Sequence, residues 1–449
     1  MPIRTEKLVY PGKCIAHDEN GRTVFIDGAL PGESVEIAAW RKHKGITEAR
    51  VGTVVEAAQE RIAARCPSFG VCGGCSFQHV SYEDQLRFKR AYTQEILTPL
   101  GITLEDIIPS PDPWHYRNKM ELSFGGTGDS LILGLHQKGR FDEYIRVPPC
   151  FIADADFLPI IEQIERFARD SHLPALDATA RTGFWRHVVL RKGKNTGQIM
   201  VLLVTTALEG DASDFWDPLL AALPDVHSIH WVVNTSRSDA VIAEAVHHLR
   251  GEATIEERLT VGGKTFRFSI SPFSFFQTNT AGAERLYDTV LQYASPKSDE
   301  RLLDLFCGTG SIGICMTPYV KDVHGVEIVS EAIEQARGNA RLNTVHNATF
   351  EAIAAEKWIR SSAQTLGSIP YDTIIVDPPR GGLHPKVAQY LSDSAAKTIV
   401  YVSCNPTTLA RDLKTILADR KFVVEKAVAV DMFPQTYHVE VVVRLVAVQ

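Results

Sequence analysis

Several features that mark other classes of protein are missing from this 449-residue chain. No apolar run is long enough to span a bilayer. The first residues, MPIRTEK, lack the apolar stretch of a secretory signal. The chain shows no internal repeats and no low-complexity segment, which argues against a repeat or fibrous architecture. We therefore expect a cytoplasmic protein that makes no membrane contact.

An excess of positive charge is also missing. The 47 Lys and Arg residues are outnumbered by 54 Asp and Glu residues, which leaves a net charge of −7. This balance argues against a protein that binds polyanions with its whole surface, but it allows a local basic face. Hydrophobic residues make up 45% of the chain, enough for substantial cores, and the length suggests two to four domains.

The two ends of the chain differ in their strand patterns. Residues 1–59 hold short alternating apolar segments broken by Gly and Pro, which predicts a small β-barrel with a basic hairpin tip. From about residue 299, strands alternate with helices, which indicates a doubly wound, largely parallel sheet whose last two strands are antiparallel neighbours. Its strands are predicted at 301–306, 322–328, 349–353, 371–377, 397–403, 421–430 and 439–448.

The first strand of this region runs into a glycine-rich turn. Gly308 and Gly310 let a ligand approach the backbone because they have no Cβ. The turn is shorter than the GxGxxG motif of dinucleotide sites and suits a nucleoside without phosphates. Glu327 ends the next strand, where an acid accepts hydrogen bonds from ribose hydroxyls. The combination predicts S-adenosylmethionine as cofactor; the alternative is a turn whose glycines serve packing alone.

A rigid acidic turn follows the fourth strand. Asp377 precedes two prolines and Arg380, and the prolines keep this loop from becoming helical. In the usual methyltransferase order the fourth strand lies beside the first, so its end faces both cofactor and substrate. Methyltransferases that act on amino groups carry an aromatic residue where Arg380 stands, which argues against an amine target. The alternative is a rigid turn with a surface Asp and Arg.

Cys404 lies at the carboxyl end of the fifth strand, in the sequence YVSCNP. In the methyltransferase order the seventh strand is antiparallel to the fifth and pairs with it. The start of the seventh strand, at His438 and Glu440, should therefore lie at the same edge of the sheet. The topology predicts a thiol and a carboxylate side by side, rather than an inert buried cysteine and a solvated glutamate.

Such a pair suits methylation of uracil at carbon-5. That carbon is too weak a nucleophile to attack a sulfonium methyl group directly. A thiolate that adds to carbon-6 transfers electron density to carbon-5, and a base must later remove the carbon-5 proton so that the thiol can leave. Because the thiolate is the nucleophile, we expect surroundings that lower the pKa of Cys404.

The eight cysteines should be reduced, metal-bound or catalytic in a cytosolic protein. Four of them, Cys66, Cys72, Cys75 and Cys150, offer a CxxC pair with two further thiols. Such a set can hold an iron–sulfur cluster or zinc, and the chemistry of the residues leaves both open. Four unrelated reduced cysteines are the less favoured alternative because of the spacing.

Together these motifs resemble the RNA uracil-5-methyltransferase family, and specifically its ribosomal RNA branch. The resemblance runs nearly from end to end of the chain. It implies an α/β protein in which an N-terminal OB-like TRAM barrel, which binds RNA, and a central α+β iron–sulfur domain accompany a Rossmann-like S-adenosylmethionine-dependent methyltransferase domain. It implies a barrel at 1–59, a central domain at 60–77 and 111–270, and a catalytic domain at 78–110 and 271–449.

The same resemblance implies roles for individual residues. Cys404 matches the nucleophile and Glu440 the general base. Positions of the cofactor pocket are matched by Gln277, Phe306, Ser311, Glu327 and Asp377. The ligands of a [4Fe–4S] cluster, with zinc the less favoured occupant, are matched by Cys66, Cys72, Cys75 and Cys150. At Ala354 the chain lacks the polar side chain that often meets the adenine in this family.

The sequence thus predicts an enzyme that makes 5-methyluridine in a structured RNA, with 23S rRNA preferred, and that works as a monomer without an obligate protein partner. The target uridine must leave its stack to reach Cys404. Alternatives are a tRNA substrate, an amine N-methyltransferase, and an inactive RNA-binding or assembly factor. Candidate RNA contacts are Arg41, Lys42, Lys44, Arg117, Lys119, Arg186 and Arg191.

Overall fold

A computed structural model describes residues 2–140, 142–146, 149–177, 179–208, 214–236, 241, 243–366 and 371–448. No helix in these ranges is long and apolar enough to cross a membrane.

The N-terminal strands close into the predicted barrel. Alternate side chains of its second and third strands point inward, where Cys14, Ala16, Val24 and Ile26 are buried. The strands join in the order β1-β2-β3-β5-β4. They are β1 (Ile3–Val9), β2 (Lys13–His17), β3 (Thr23–Asp27), β4 (Ser34–His43) and β5 (Ile46–Glu56).

One long helix, α1 (Tyr82–Leu97), follows the barrel. Ser81 caps its N-terminus, because the Ser81 hydroxyl accepts a hydrogen bond of 3.1 Å from the backbone N–H of Asp84. The helix turns Phe88, Lys89 and Tyr92 into the interior. A 3₁₀ turn at Thr98–Leu100 ends it, and the short strand β6 (Ile107–Ile108) comes next.

A seven-stranded sheet of order β13-β12-β11-β10-β7-β8-β9 occupies the middle of the chain. Its central strands are buried along nearly their whole length because both of their faces are covered, although β10 also carries Arg186, His187 and Arg191. One face packs on α2 and α3, and the other on the β14–β15 hairpin and α4. The elements are β7 (Lys119–Gly125), β8 (Ile132–His136), β9 (Tyr144–Ile145), α2 (Phe157–Asp170), β10 (Trp185–Lys192), β11 (Ile199–Thr205), α3 (Asp217–Ala222), β12 (Ser228–Val233), β13 (Ala245–Gly251), β14 (Ile255–Val261), β15 (Lys264–Ile270) and α4 (Thr280–Ala294).

The last part of the chain forms the predicted doubly wound sheet, in the order β18-β17-β16-β19-β20-β22-β21-β6. The fourth strand lies beside the first, and the seventh is antiparallel to the fifth, as expected. Every predicted strand is found within two residues of its predicted bounds. The elements are β16 (Arg301–Leu305), α5 (Ser311–Met316), β17 (Asp322–Glu327), α6 (Ser330–Leu342), β18 (Ala348–Ala352), α7 (Ala355–Leu366), β19 (Thr373–Val376), α8 (Pro385–Asp393), β20 (Thr398–Ser403), α9 (Pro406–Ile416), β21 (Phe422–Val430) and β22 (Glu440–Ala447).

Candidate active site

Strand register brings Cys404 and Glu440 together. In the antiparallel pair β20–β22, Ser403 faces Val441, so one further step along both chains sets Cys404 opposite Glu440. Residues directly opposite in such a pair have Cβ atoms about 4.5–5.5 Å apart. Glu440 is buried, with 6% of its surface exposed, whereas Cys404 is partly exposed. We call the space around Cys404, Glu440 and Asp377 the cleft. The predicted juxtaposition of thiol and carboxyl is therefore present.

The expected low pKa of the thiol is wrong for the protein without substrate. Burial, reinforced by Glu440 and Asp377, raises the pKa of Cys404 from 9.0 to about 11. The Arg380 guanidinium acts in the opposite direction on Cys404. Burial and Asp377 also raise the pKa of Glu440 well above its usual range, again opposed by Arg380. Three acidic groups thus share one low-dielectric cleft with a cation at its rim.

Two carboxyls from neighbouring strands, Asp377 and Asp304, interact at this site. Burial raises the pKa of Asp377 to about 7. Burial and the nearby Asp377 raise the pKa of Asp304, on the adjacent strand β16, to about 8. Asp304 is fully buried and accepts a 2.9 Å hydrogen bond from the N–H of Gly313, which ties β16 to the helix that follows it. The floor of the cleft therefore favours neutral carboxyls or a bound positive charge.

The two glycines of the glycine-rich turn have different surroundings: a Cβ on Gly308 would meet nothing within 4 Å, so a ligand can approach the backbone there, whereas Gly310 packs against the core. Gly310 has φ +77°, and a Cβ there would lie 3.0 Å from the side chains of Ala336 and Phe350. Phe306 also adopts a positive φ, +65°, which is a strained conformation for a residue with a side chain. The Glu327 carboxylate accepts hydrogen bonds from the backbone N–H of Gly308 at 3.3 Å and of Ile328 at 2.7 Å. The predicted acid therefore also fixes the turn.

The remaining predicted cofactor residues lie around the same edge. The Ser311 hydroxyl is 2.8 Å from the hydroxyl of Tyr287 on α4. Gln277 lines the neighbouring cavity, and its carbonyl accepts a hydrogen bond from Asn118. Ala354 is buried, and its carbonyl accepts hydrogen bonds from the first turn of α7.

The four cysteines of the predicted metal site line one cavity of about 440 Å³, together with Gln277, Arg380 and His438. Hydrogen bonds are directed at two of the sulfurs: Gln78 Nε2 donates to Cys75 at 3.2 Å, and the N–H of Gly74 donates to Cys72 at 3.3 Å. Burial raises the pKa of Cys75 to about 12. In the part of the chain that the structure describes, no group of three or more His, Cys, Asp or Glu is arranged to hold a metal ion.

The candidate RNA contacts fall into two groups. Arg41, Lys42 and Lys44 are exposed at the β4–β5 hairpin tip, and Arg117 and Lys119 line the cavity. Arg186 and Arg191, in contrast, are buried and donate to backbone carbonyls of Asn234 and Ser271. Their prediction as RNA contacts is wrong, because both guanidinium groups brace loops of the protein instead.

Sequence reasoning did not single out Asn405. Its side chain caps α9 by accepting a 3.1 Å hydrogen bond from the N–H of Thr407. The same amide donates a 3.1 Å hydrogen bond to the carbonyl of Arg380. Asn405 therefore joins the loop that carries Cys404 to the loop that carries Arg380. The Asn-Pro pair after Cys404 is a helix-start signal that pointed to the cap, but not to the second contact.

Comparisons with known proteins agree with this architecture. The family model described as tRNA (uracil-5-)-methyltransferase matches residues 81–448, and the TRAM domain model matches residues 1–51. A protein of Clostridium tetani named an uncharacterised RNA methyltransferase is 38% identical over 99% of this chain and 96% of its own length. Another protein named an uncharacterised RNA methyltransferase, from Caldanaerobacter subterraneus, is 36% identical over 98% of this chain and 97% of its own length.

A solved structure resembles the whole chain. The tRNA (uracil-54, C5)-methyltransferase of Pyrococcus abyssi, in complex with S-adenosyl-L-homocysteine, aligns with a TM-score of 0.79. It is 31% identical, and the match covers 99% of each chain. The likeness extends over the barrel, the central sheet and the doubly wound sheet.

The order of the doubly wound sheet and its glycine-rich turn define an S-adenosylmethionine-dependent methyltransferase with an N-terminal TRAM domain. RNA is the substrate class of the matching families. The chain belongs to the tRNA (uracil-5-)-methyltransferase family, and the predicted enzyme class is confirmed.

Proposed function

We propose that the protein methylates carbon-5 of a uridine in structured RNA through a covalent bond between Cys404 and carbon-6 of uracil. The observation that carries this proposal is the register that sets Cys404 opposite the buried Glu440, at the edge where the cofactor turn ends. Methyl transfer to an amine would not require a thiol and a carboxylate side by side. Methylation of uracil carbon-5 requires both: the thiolate makes carbon-5 nucleophilic, and the carboxylate removes the carbon-5 proton so that the ring regains its double bond.

The chemistry of the chain's own residues runs in three stages. The Cys404 thiolate forms a bond to carbon-6, and the electrons of the carbon-5–carbon-6 double bond move into an enolate at carbon-4. S-adenosylmethionine, when bound, would supply a methyl group on a positively charged sulfur; carbon-5 takes the methyl group, and the sulfur is left as a neutral thioether. Glu440 then takes the proton from carbon-5, and those electrons re-form the double bond and expel the Cys404 thiolate.

The electrostatics of the cleft suit this sequence. Glu440 has a raised pKa, so its ionised form is a stronger base than an exposed glutamate. Arg380 favours the ionised forms of both Cys404 and Glu440. We propose that Gln277, Phe306, Ser311, Glu327 and Asp377 form the cofactor pocket, with Glu327 at the ribose and Asp377 at the reacting end.

We propose 23S rRNA as the substrate and tRNA as the alternative. The TRAM barrel with its exposed basic tip supports a large folded RNA in either case. The tRNA alternative is favoured by one observation: the structure that matches 99% of the chain is a tRNA enzyme. A competition between the two RNAs, with 5-methyluridine quantified in each by nucleoside mass spectrometry, separates them.

We propose that Cys66, Cys72, Cys75 and Cys150 hold a [4Fe–4S] cluster, with zinc as the alternative occupant. The donor set is thiol only, the four sulfurs line one cavity, and N–H groups are directed at two of them, as is common around cluster sulfurs. Such a cluster would link segments far apart in the chain. Iron and sulfide analysis of anaerobically purified protein tests this, and Cys75→Ala should lose both. Zinc without sulfide would contradict the cluster.

We also propose the division into a barrel at 1–59, a central domain at 60–77 and 111–270, and a catalytic domain at 78–110 and 271–449, acting as a monomer. The separation of the barrel, the seven-stranded sheet and the eight-stranded sheet supports this division.

The experiment that tests the proposed function is a methylation assay with both RNAs and S-adenosylmethionine. We expect 5-methyluridine as the product and none from Cys404→Ala. A methylated amino group, or undiminished product from that variant, would overturn the proposal. Circular dichroism of Cys404→Ala, compared with the parent protein, shows whether the loss is chemical.

A further inference from the structure

The barrel and the doubly wound sheet share one hydrophobic core. Barrel residues such as Leu8 and Val35 are buried in the same cluster as Tyr92 of α1, Ala429 of β21 and Val439. An ion pair of 2.5 Å between Lys7 and Glu95 adds a second link from the barrel to α1. The barrel is thus packed on the catalytic sheet rather than attached by a linker.

The contact is closest at the turn between β1 and β2. The Tyr10 ring meets the Tyr437 ring edge-on at 5.9 Å, and it lies 5.9 Å from the Tyr92 ring. Gly12 lies so close to Tyr437 that a Cβ on it would come within 2.6 Å of the Tyr437 Cβ. From the other side, the Tyr92 hydroxyl donates a 2.5 Å hydrogen bond to the carbonyl of Tyr437. Tyr437 is therefore held between the barrel turn and α1.

Tyr437 belongs to the segment that delivers the proposed base. It comes three residues before Glu440, the first residue of β22. The centroid of its ring lies 4.1 Å from that of His438, with the two ring planes tilted by 40°, and His438 lines the cavity of the four cysteines. Tyr10 itself lies within electrostatic range of both Cys404 and Glu440. If the β1–β2 turn moved, Tyr437 and with it the start of β22, at Glu440, would therefore be expected to move as well.

We propose that the β1–β2 turn of the barrel, through Tyr10 and Gly12, is a positioning element that sets Glu440 for proton removal. The proposal rests on the proposed role of Glu440. It gives the barrel a function in the chemical step in addition to RNA binding. Tyr10 acts through Tyr437 as a positioning residue, and its ring rather than its hydroxyl makes the contact.

This role has a kinetic signature of its own. If Glu440 is misplaced, Cys404 still adds to the uracil and carbon-5 still becomes methylated, but the proton leaves slowly. The enzyme should then accumulate as a denaturation-resistant adduct with ordinary, unsubstituted RNA. A barrel that only binds RNA would change KM and leave no such adduct.

The test compares Tyr10→Leu, Gly12→Ala and Tyr10→Phe with the parent protein on unsubstituted RNA. We expect the first two to lower kcat by roughly ten- to a hundredfold, since general-base catalysis contributes about 10² to 10⁴. KM should change little, and the adduct fraction on denaturing gels should rise. Tyr10→Phe keeps the ring and should match the parent. Lys44→Ala, at the exposed tip of the same barrel, should raise KM without adduct.

A rise in KM alone for Tyr10→Leu and Gly12→Ala, or unchanged kinetics, would overturn the proposal. The two variants check each other, because one removes the ring and the other crowds the same contact. If the parent protein itself formed no adduct with 5-fluorouridine RNA, the proposed function would fail instead, so the two failures are distinct.

Discussion

Cys404 should react with iodoacetamide more slowly than a thiol in water while the site holds no substrate. Burial, Glu440 and Asp377 raise the pKa of Cys404 from 9.0 to about 11. At pH 8 this leaves about one thiolate in a thousand, against about one in ten for an ordinary thiol. A more basic thiolate is intrinsically more nucleophilic, by about six- to tenfold for this difference in pKa. This partly offsets the roughly hundredfold smaller thiolate fraction, so the alkylation rate should be lower by roughly ten- to sixteenfold.

Two variants should move this rate in opposite directions. Glu440→Gln removes the second-largest cause of the raised pKa, so Cys404 should react faster than in the parent protein. Arg380→Gln removes the cation that stabilises the thiolate, so Cys404 should react more slowly. The assay is the rate of carbamidomethylation of the Cys404 peptide by mass spectrometry between pH 7 and 11, with N-acetylcysteine as the reference.

The opposite shifts expected for the two variants separate the effect of charge from that of accessibility. If Cys404 reacts at pH 8 as fast as the reference thiol, the cleft does not hold it protonated. If both substitutions change the rate in the same direction, accessibility rather than charge controls reactivity, and the electrostatic account of the site is wrong.

Three further predictions concern stability and cofactor binding. Lys89→Met should lower the free energy of unfolding, measured in urea, by about 3 to 5 kcal/mol, because it leaves the buried Asp431, 2.7 Å from Lys89, without its ion-pair partner. The double variant Lys89→Met/Asp431→Leu should regain most of that stability. Gly310→Ala should cost about 1 to 2 kcal/mol, since φ is +77° there, and calorimetry should show weaker binding of S-adenosylhomocysteine than in the parent protein. Burial and His248 lower the pKa of His230 from 6.5 to about 4, so the unfolded chain takes up a proton in this range that the folded protein does not. Stability should therefore fall by at most about 3 kcal/mol between pH 6.5 and 4, and His230→Gln should flatten that slope in urea titrations. An equal slope in both proteins would contradict it.

The doubly wound sheet was predictable because its signals are local and periodic. Buried strands such as β19 and β20 are short apolar runs bounded by helices, and their order follows from the resemblance of their motifs. That order was enough to pair Cys404 with Glu440, since register alone decides which strand ends meet. By contrast, β2 (KCIAH) lacks a clear alternation of polar and apolar residues, so its sequence does not predict a strand, and β6 is only two residues long.

Properties that depend on three-dimensional surroundings could not be predicted. The raised pKa of Cys404 results from burial and from two carboxyls contributed by other strands. Arg186 and Arg191 look like exposed cations in the sequence, yet each finds carbonyl partners about 50 or more residues away along the chain. Tyr10 reaches Tyr437 from the opposite end of the chain, so no local pattern links the two.

Trapping with 5-fluorouridine RNA tests whether Cys404 forms a covalent bond to uracil. Fluorine at carbon-5 cannot be removed as a proton, so the bond between Cys404 and carbon-6 should persist after methyl transfer. We predict a denaturation-resistant adduct with the parent protein and S-adenosylmethionine, its retention in Glu440→Gln, and its loss in Cys404→Ala. No adduct with the parent protein, or an undiminished adduct in Cys404→Ala, would contradict the account.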